Sequence, residues 1–236
     1  MLAMNKLKRY LPIMSILFLS ILAYNFNLHS YFSFSSLKDN YQSLQTLIIN
    51  KPLLAASYYM ICYIVIVAIS IPGATFMTVS GGLLFGQYLG TIMALCSATI
   101  GASILFMSTK MASRNVSPDG KIGRFVGKMK KGFQENAFSY LITLRLMPIF
   151  PFTVINIVAA LLQIPLYIFA SATFLGMIPA SYIFTSVGVG LKEIINHPDF
   201  SFSLAFNPKI IGSLAALGVL SLLPTIYKKY FKKNKA

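Results

Sequence analysis

Arg145 sits in YLITLRLMPIFPF and is the one charged residue between Glu135 and Lys192. A guanidinium is a planar fork of five N–H donors, suited to paired oxygens of a phosphate or carboxylate. At the centre of a bilayer such a charge costs about 2.5–3.5 kcal/mol on insertion scales. It must therefore meet a polar cavity, backbone carbonyls or an anion. Two roles stay open: contact with an anion such as a lipid phosphate, or tying down carbonyls where Pro148 and Pro151 break the helix. Glu135 lies ten residues upstream and is the candidate carboxylate partner. Asn156, in PFTVINIVAALLQIP, needs hydrogen-bond partners in an apolar setting, as glue between helices or as lining of a substrate path. Lys110 and Arg114 end another apolar run and are placed to gather anionic headgroups.

Other chemistry has no support. There is no Ser/His/Asp set, HExxH motif or pair of embedded carboxylates, so the chain reads as a non-enzyme. Cys62 and Cys96 lie in apolar runs and act as small hydrophobes; no metal or cofactor is expected. His29 and His197 read as solvated. The run TVSGGLLFGQYLG lacks GxxxxGK[ST] and is no phosphate loop. Its Gly81, Gly82, Gly86 and Gly90, with Gly73 before it and Gly176 later, fit close helix packing or a thin backbone lining a cavity.

The elements that must hold these residues follow from composition. Of 236 residues, 56% are hydrophobic and 11% charged, and mean hydropathy is +0.72. An ordinary soluble domain carries about 25% charged residues. A disordered chain, a disulfide-stapled domain and a cytosolic enzyme are excluded, leaving an all-α integral membrane protein. The net charge of +15 reads as cytoplasmic loops rather than nucleic-acid binding.

Residues 52–109 and 146–191 hold no charge, and each is too long for one span of ~20 residues. Each is broken, at Pro72-Gly73 and at Pro148 and Pro151. Spans are expected at 11–28, 88–109, 166–190 and 209–227, and an interfacial segment at 37–51. Re-entrant hairpins are expected at 53–87 and 137–164, although the arm 53–71 is long enough to cross alone. If 53–87 re-enters, fifteen of the twenty Lys and Arg fall on the cytoplasmic side, in the N-terminus, in residues 110–131 and in the tail. Both termini are then cytoplasmic. Ser117-Pro118-Asp119 starts a helix with Ile122, Phe125, Val126, Met129 and Phe133 on one face and basic residues on the other. This segment, 117–135, either lies on an anionic leaflet or packs on the protein.

Three regions result: 1–36, an inverted-repeat membrane domain at 37–191, and 192–236. An internal echo supports the repeat. Pro72-x3-Phe76 matches Pro148-x3-Phe152, and Ser97-Ala98-Thr99 matches Ser171-Ala172-Thr173. Inverted repeats with broken helices place a substrate path at the repeat interface.

PGATFMTVSGGLLFGQYLGTIMALCSATIGASILF resembles the first signature of the DedA superfamily, also called the VTT-domain or SNARE-associated Golgi protein family. The stretch from Phe138 to Phe184 resembles the second, built around R-x-x-P-x-x-P-x-x-x-x-N. The likeness covers about residues 50–190 and is greatest to the branch with a yeast Golgi vesicle protein and bacterial homologues. It implies two facing re-entrant hairpins and lipid movement between leaflets, by scrambling or by transport of lipid or polyprenyl phosphate. By position, Arg145, Pro148, Pro151 and Asn156 match the second motif, and Pro72, Gly73, Gly82, Phe85 and Gly86 the first. The chain departs in having Lys110 where the family often has Arg, which keeps charge but loses the fork. It also has no acid in 52–109, which favours energy-independent scrambling over proton-driven transport.

A lipid translocator is therefore the first expectation, with anionic headgroups as ligands. A membrane scaffold or tethering factor is the alternative. The expected setting is a bacterial inner membrane, with the Golgi second; a homo-oligomer is allowed.

Overall fold

The computed structural model describes residues 34–113, 133, 136–146, 151–195 and 212. Among these the chain is all-α. The helices are α1 (Phe34–Asp39), α2 (Tyr41–Asn50), α3 (Pro52–Ala68), α4 (Ala74–Phe85), α5 (Gln87–Ala112), α6 (136–146), α7 (Phe152–Leu161) and α8 (Leu166–Ile195). The expected segments 11–28 and 209–227 and the basic helix lie essentially outside the described residues, as do Arg114, Glu135 and Pro148.

Pro52 opens α3 at a position where its missing N–H is no loss. The helix ends on Ser70, at φ 60°, with Ile71 N–H bonded back to Ile66 O at 3.0 Å. That left-handed residue reverses the chain and satisfies a carbonyl the helix end leaves open. Pro72-Gly73 follows, and α4 folds back on α3. Tyr59 Oη donates to Met77 O at 2.7 Å, and Tyr63 Oη shares a 2.7 Å bond with Thr78 Oγ1. Both bonds are buried. Tyr59→Phe is expected to lower stability by about 1 kcal/mol, seen as a lower melting temperature in detergent. An unchanged melt would mean the bond contributes nothing.

Gly86 separates α4 from α5. Its φ is +81° and open space surrounds it, so glycine is needed there for the backbone rather than for room. The next stretch repeats the plan of two short helices and a long one. α7 ends on Gln163, at φ 59°, with Ile164 N–H bonded to Ala159 O.

The two long helices run antiparallel. Gln87, at the start of α5, donates to Tyr182 O and Thr185 Oγ1 of α8. Lys110, at its far end, donates to Gln163 O and Ile164 O just ahead of α8. Thr91 Oγ1 bonds Thr185 Oγ1, and Ser186 Oγ donates to Gln87 Oε1, completing a polar clasp. α8 packs against α4 and α5, while α5 packs against α3, α4 and α7. Glycines permit this. A Cβ at Gly82 would strike the Thr185 backbone, one at Gly188 the Val79 carbonyl, and one at Gly90 the backbone of Gly81. α5 and α8 are long and apolar enough to cross a membrane. They expose large apolar residues outward, among them Ile92, Ile104, Leu175 and Ile178.

Candidate functional site

Arg145 comes from α6, Asn156 from α7, and Thr173 and Gly176 from α8. Arg145 is only 8% exposed and Asn156 is fully buried. Arg145 Nη2 donates to Asn156 Oδ1 at 2.6 Å and to Thr173 Oγ1 at 2.9 Å. The guanidinium carbon lies 4.5 Å from the centre of the Phe152 ring and 5.5 Å from that of Phe169. Gly176 leaves room for the arginine stem; a Cβ there would stand 2.8 Å from Arg145 Cβ.

The bonding is incomplete. Among the described residues, Arg145 Nε and Nη1 and Asn156 Nδ2 are buried without a partner. No carboxylate neutralises the cation among the described residues; its partners are an amide, a hydroxyl and two rings. Burying an ion costs several kcal/mol unless it is paired and its hydrogens are used. Cation–π contacts return ~0.5–2 kcal/mol each. What remains among the described residues is a positive site with donors on offer and no acid, the electrostatic complement of an oxyanion.

The sequence-predicted residues divide in their placement. Arg145 and Asn156 meet. Lys110 does not reach them; its ammonium bonds carbonyls at the end of α7, where the helix dipole is negative, and stands 5.4 Å over the Phe106 ring. Phe106 stacks on Phe169 at 4.3 Å, so rings link Lys110 to Arg145. Pro151 caps α7, exposed, and Pro72 and Gly73 lie in the α3–α4 turn. Phe85 meets Tyr59 edge-on at 5.3 Å. Thr173 was not expected as a partner of Arg145, although the Ser-Ala-Thr echo contained it. Phe152 stood in the Pro-x3-Phe echo without being expected beside Arg145, and nothing in a chain with 19 phenylalanines placed Phe106 and Phe169 at the site. No group of side chains able to hold a metal ion occurs among the described residues.

The VTT-domain family model matches residues 71–190, from the α3–α4 turn into α8. The chain belongs to the VTT-domain family. All of the Arg145 cluster lies inside the matched range. The transmembrane protein 41 homolog of Dictyostelium discoideum is 33% identical over 178 residues, 74% of this chain and 51% of that protein. The homolog of the same name in Caenorhabditis elegans is 31% identical over 180 residues, 74% of this chain and 70% of its own. Human transmembrane protein 41B is 28% identical over 178 residues, 75% of this chain and 60% of the human protein. The chain thus matches about half the length of the Dictyostelium relative. No solved structure matches. Like these relatives, this VTT-domain chain is a membrane protein.

Proposed function

We propose that this VTT-domain protein moves phospholipid between membrane leaflets, the headgroup passing Arg145 and Asn156 along a polar groove while the acyl tails stay in lipid. The observation that carries this reading is the buried guanidinium with open donors and no counter-charge among the described residues. An arginine kept only for structure would have its hydrogens used. Open donors at membrane depth suit a phosphate that arrives, binds and leaves.

The architecture supports the same reading. α4 and α7, at 12 and 10 residues, extend about 18 and 15 Å, short of the ~30 Å hydrocarbon core. They serve as arms of re-entrant hairpins. α5 packs on α7 and α8 on α4, so each long helix holds an arm of the other unit, as an inverted repeat requires. Tyr88 and Tyr167, 76% and 74% exposed, mark opposite faces at the starts of the antiparallel long helices. From Tyr88 to Lys110 along α5 is roughly 33 Å, one hydrocarbon core. Both termini and fifteen of the twenty Lys and Arg face the cytoplasm, in a bacterial plasma membrane. Lys110 and Arg114 attract anionic headgroups at that face. The absence of acids in 52–109 favours movement down a gradient of lipid alone.

Purified protein in liposomes with a labelled phospholipid and external dithionite tests this. Quenching is expected to pass the outer-leaflet fraction without a pH gradient. Quenching that stops there in zwitterionic and anionic vesicles alike would overturn the reading. A stoichiometric copurifying protein would then favour the tethering role.

A further inference from the structure

Between the α1–α2 pair and the α3–α4 pair lies a cavity of about 380 Å³, within the range of ligand pockets. It shares no residue with the Arg145 cluster. Its wall is almost wholly apolar, from Leu44, Leu47 and Ile48 of α2 to Met77 and Leu84 of α4. Polar groups in that wall are turned to the protein. Asn40 Nδ2 donates to Ser36 O, Tyr59 Oη to Met77 O and Ser80 Oγ to Phe76 O. Among the described residues, no lining side chain holds a buried polar atom without a partner, and no acid lines the cavity. Water would find few partners there, whereas hydrocarbon needs none.

Tyr58 and Cys62 of α3 line the cavity and are also exposed, so they mark its mouth. With Leu54, Ile61 and Val65 they form one exposed stripe, at the spacing of a single helix face. In a membrane protein such a stripe meets lipid tails, and the mouth opens onto them. A cation stands at the edge of the cavity. Lys51 N–H donates to Leu47 O at 2.8 Å, and Lys51 O accepts from Ala55 N–H at 3.0 Å. Leu47 and Ala55 both line the cavity, and Lys51 is exposed.

We propose that this cavity is a binding site for one acyl chain of an anionic phospholipid, whose phosphate meets Lys51. The chain enters past Tyr58 and Cys62 and lies against α4. It fills the gap under α1 and α2 and holds that pair on α3 and α4. This lipid is resident rather than cargo, so the site stands whether or not the protein moves lipid.

Phospholipids with a diazirine in one acyl chain test this on the full chain in vesicles, with adducts mapped by mass spectrometry. Adducts are expected on Met77 and Ser80, which are buried in the α4 wall, and on the exposed Ile104 and Ile178 as controls. Phosphatidylglycerol probes are expected to label the α4 wall about three- to fivefold more than phosphatidylcholine probes, the preference one lysine gives near a membrane surface. K51Q should remove that preference. C62W, which plugs the mouth, should abolish the α4 adducts and keep those on Ile104 and Ile178; C62F is the milder plug, and melting curves show which variants are folded. No α4 adduct in wild type, with the controls labelled, overturns the site and gives the cavity to a second copy or to a segment of this chain outside the described residues. Adducts on α4 that persist in a folded plugged variant overturn the cavity as the route of the chain. Equal labelling by the two probes, or a preference that survives K51Q, overturns the part given to Lys51.

Discussion

Arg145→Met is expected to leave the melting temperature close to wild type, or above it, while lipid movement falls to the rate of protein-free vesicles. The two halves of this prediction have separate causes. The wild-type chain buries a guanidinium without a counter-charge among the described residues, at a cost of several kcal/mol. Bonds to Asn156 and Thr173 return about 1.5–3 kcal/mol each, as hydrogen bonds of charged groups do. Contacts with Phe152 and Phe169 add ~0.5–2 kcal/mol each. Methionine keeps the apolar stem and removes the charge with its desolvation penalty. It strands the Asn156 amide oxygen and the Thr173 hydroxyl, at about 1–3 kcal/mol. Gains and losses are of similar size, so stability barely moves. Function has no such compensation, because a thioether offers no donor to a phosphate. Arg145→Lys is expected to fail as well: one ammonium cannot serve Asn156, Thr173 and a headgroup with the geometry of a planar fork. A variant that melts far below wild type would show that Arg145 is there to hold the helices.

Gly188→Ala is expected to produce the largest loss of folded protein. Its new methyl would strike the Val79 carbonyl and the Leu83 amide nitrogen, both backbone atoms of α4. Overpacking usually costs about 1–3 kcal/mol, because side chains rotate to make room. Here no side chain is in the way, and α4 and α8 must separate bodily. The effect should reach or exceed the top of that range. Separation would also disturb Thr185, whose backbone lies against Gly82 and whose hydroxyl joins Gln87 and Thr91. Gly86→Ala is the comparison. Nothing would touch its methyl, and only the backbone is strained, at φ 81° and ψ −179°, by about 1–3 kcal/mol. Size-exclusion profiles and melting temperatures in detergent separate the two. Equal behaviour would mean that the α4–α8 crossing is not as close as described.

The legible features were those written into local sequence. Pro72-Gly73 ends one helix whatever it packs on, and the chain turns there. A lone arginine in a charge-free stretch announces a special environment. With Asn156 eleven residues on, across two prolines, it suggested residues on two facing arms. Arg145 does meet Asn156. Thr173 escaped because its helix arrives from outside the hairpin, and no local rule sets the rotation of α8 about its axis. The Ser-Ala-Thr echo pointed to it without saying what it would touch. Lys110 was read as a headgroup collector by its position at a helix end. The carbonyls of Gln163 and Ile164 came within its reach only through packing of α7 on α5. The Phe106–Phe169 stack had no signal, since aromatic residues fill every apolar run of this chain.

The central claim is that a buried cation meets a moving lipid phosphate. The most direct measurement sets wild type beside Arg145→Met in the same vesicle preparation and follows dithionite quenching of labelled phospholipid, with and without a pH gradient. Wild type is expected to expose inner-leaflet lipid in both conditions, and the folded Arg145→Met protein in neither. Equal rates for the two proteins would place the lipid path elsewhere and contradict the account.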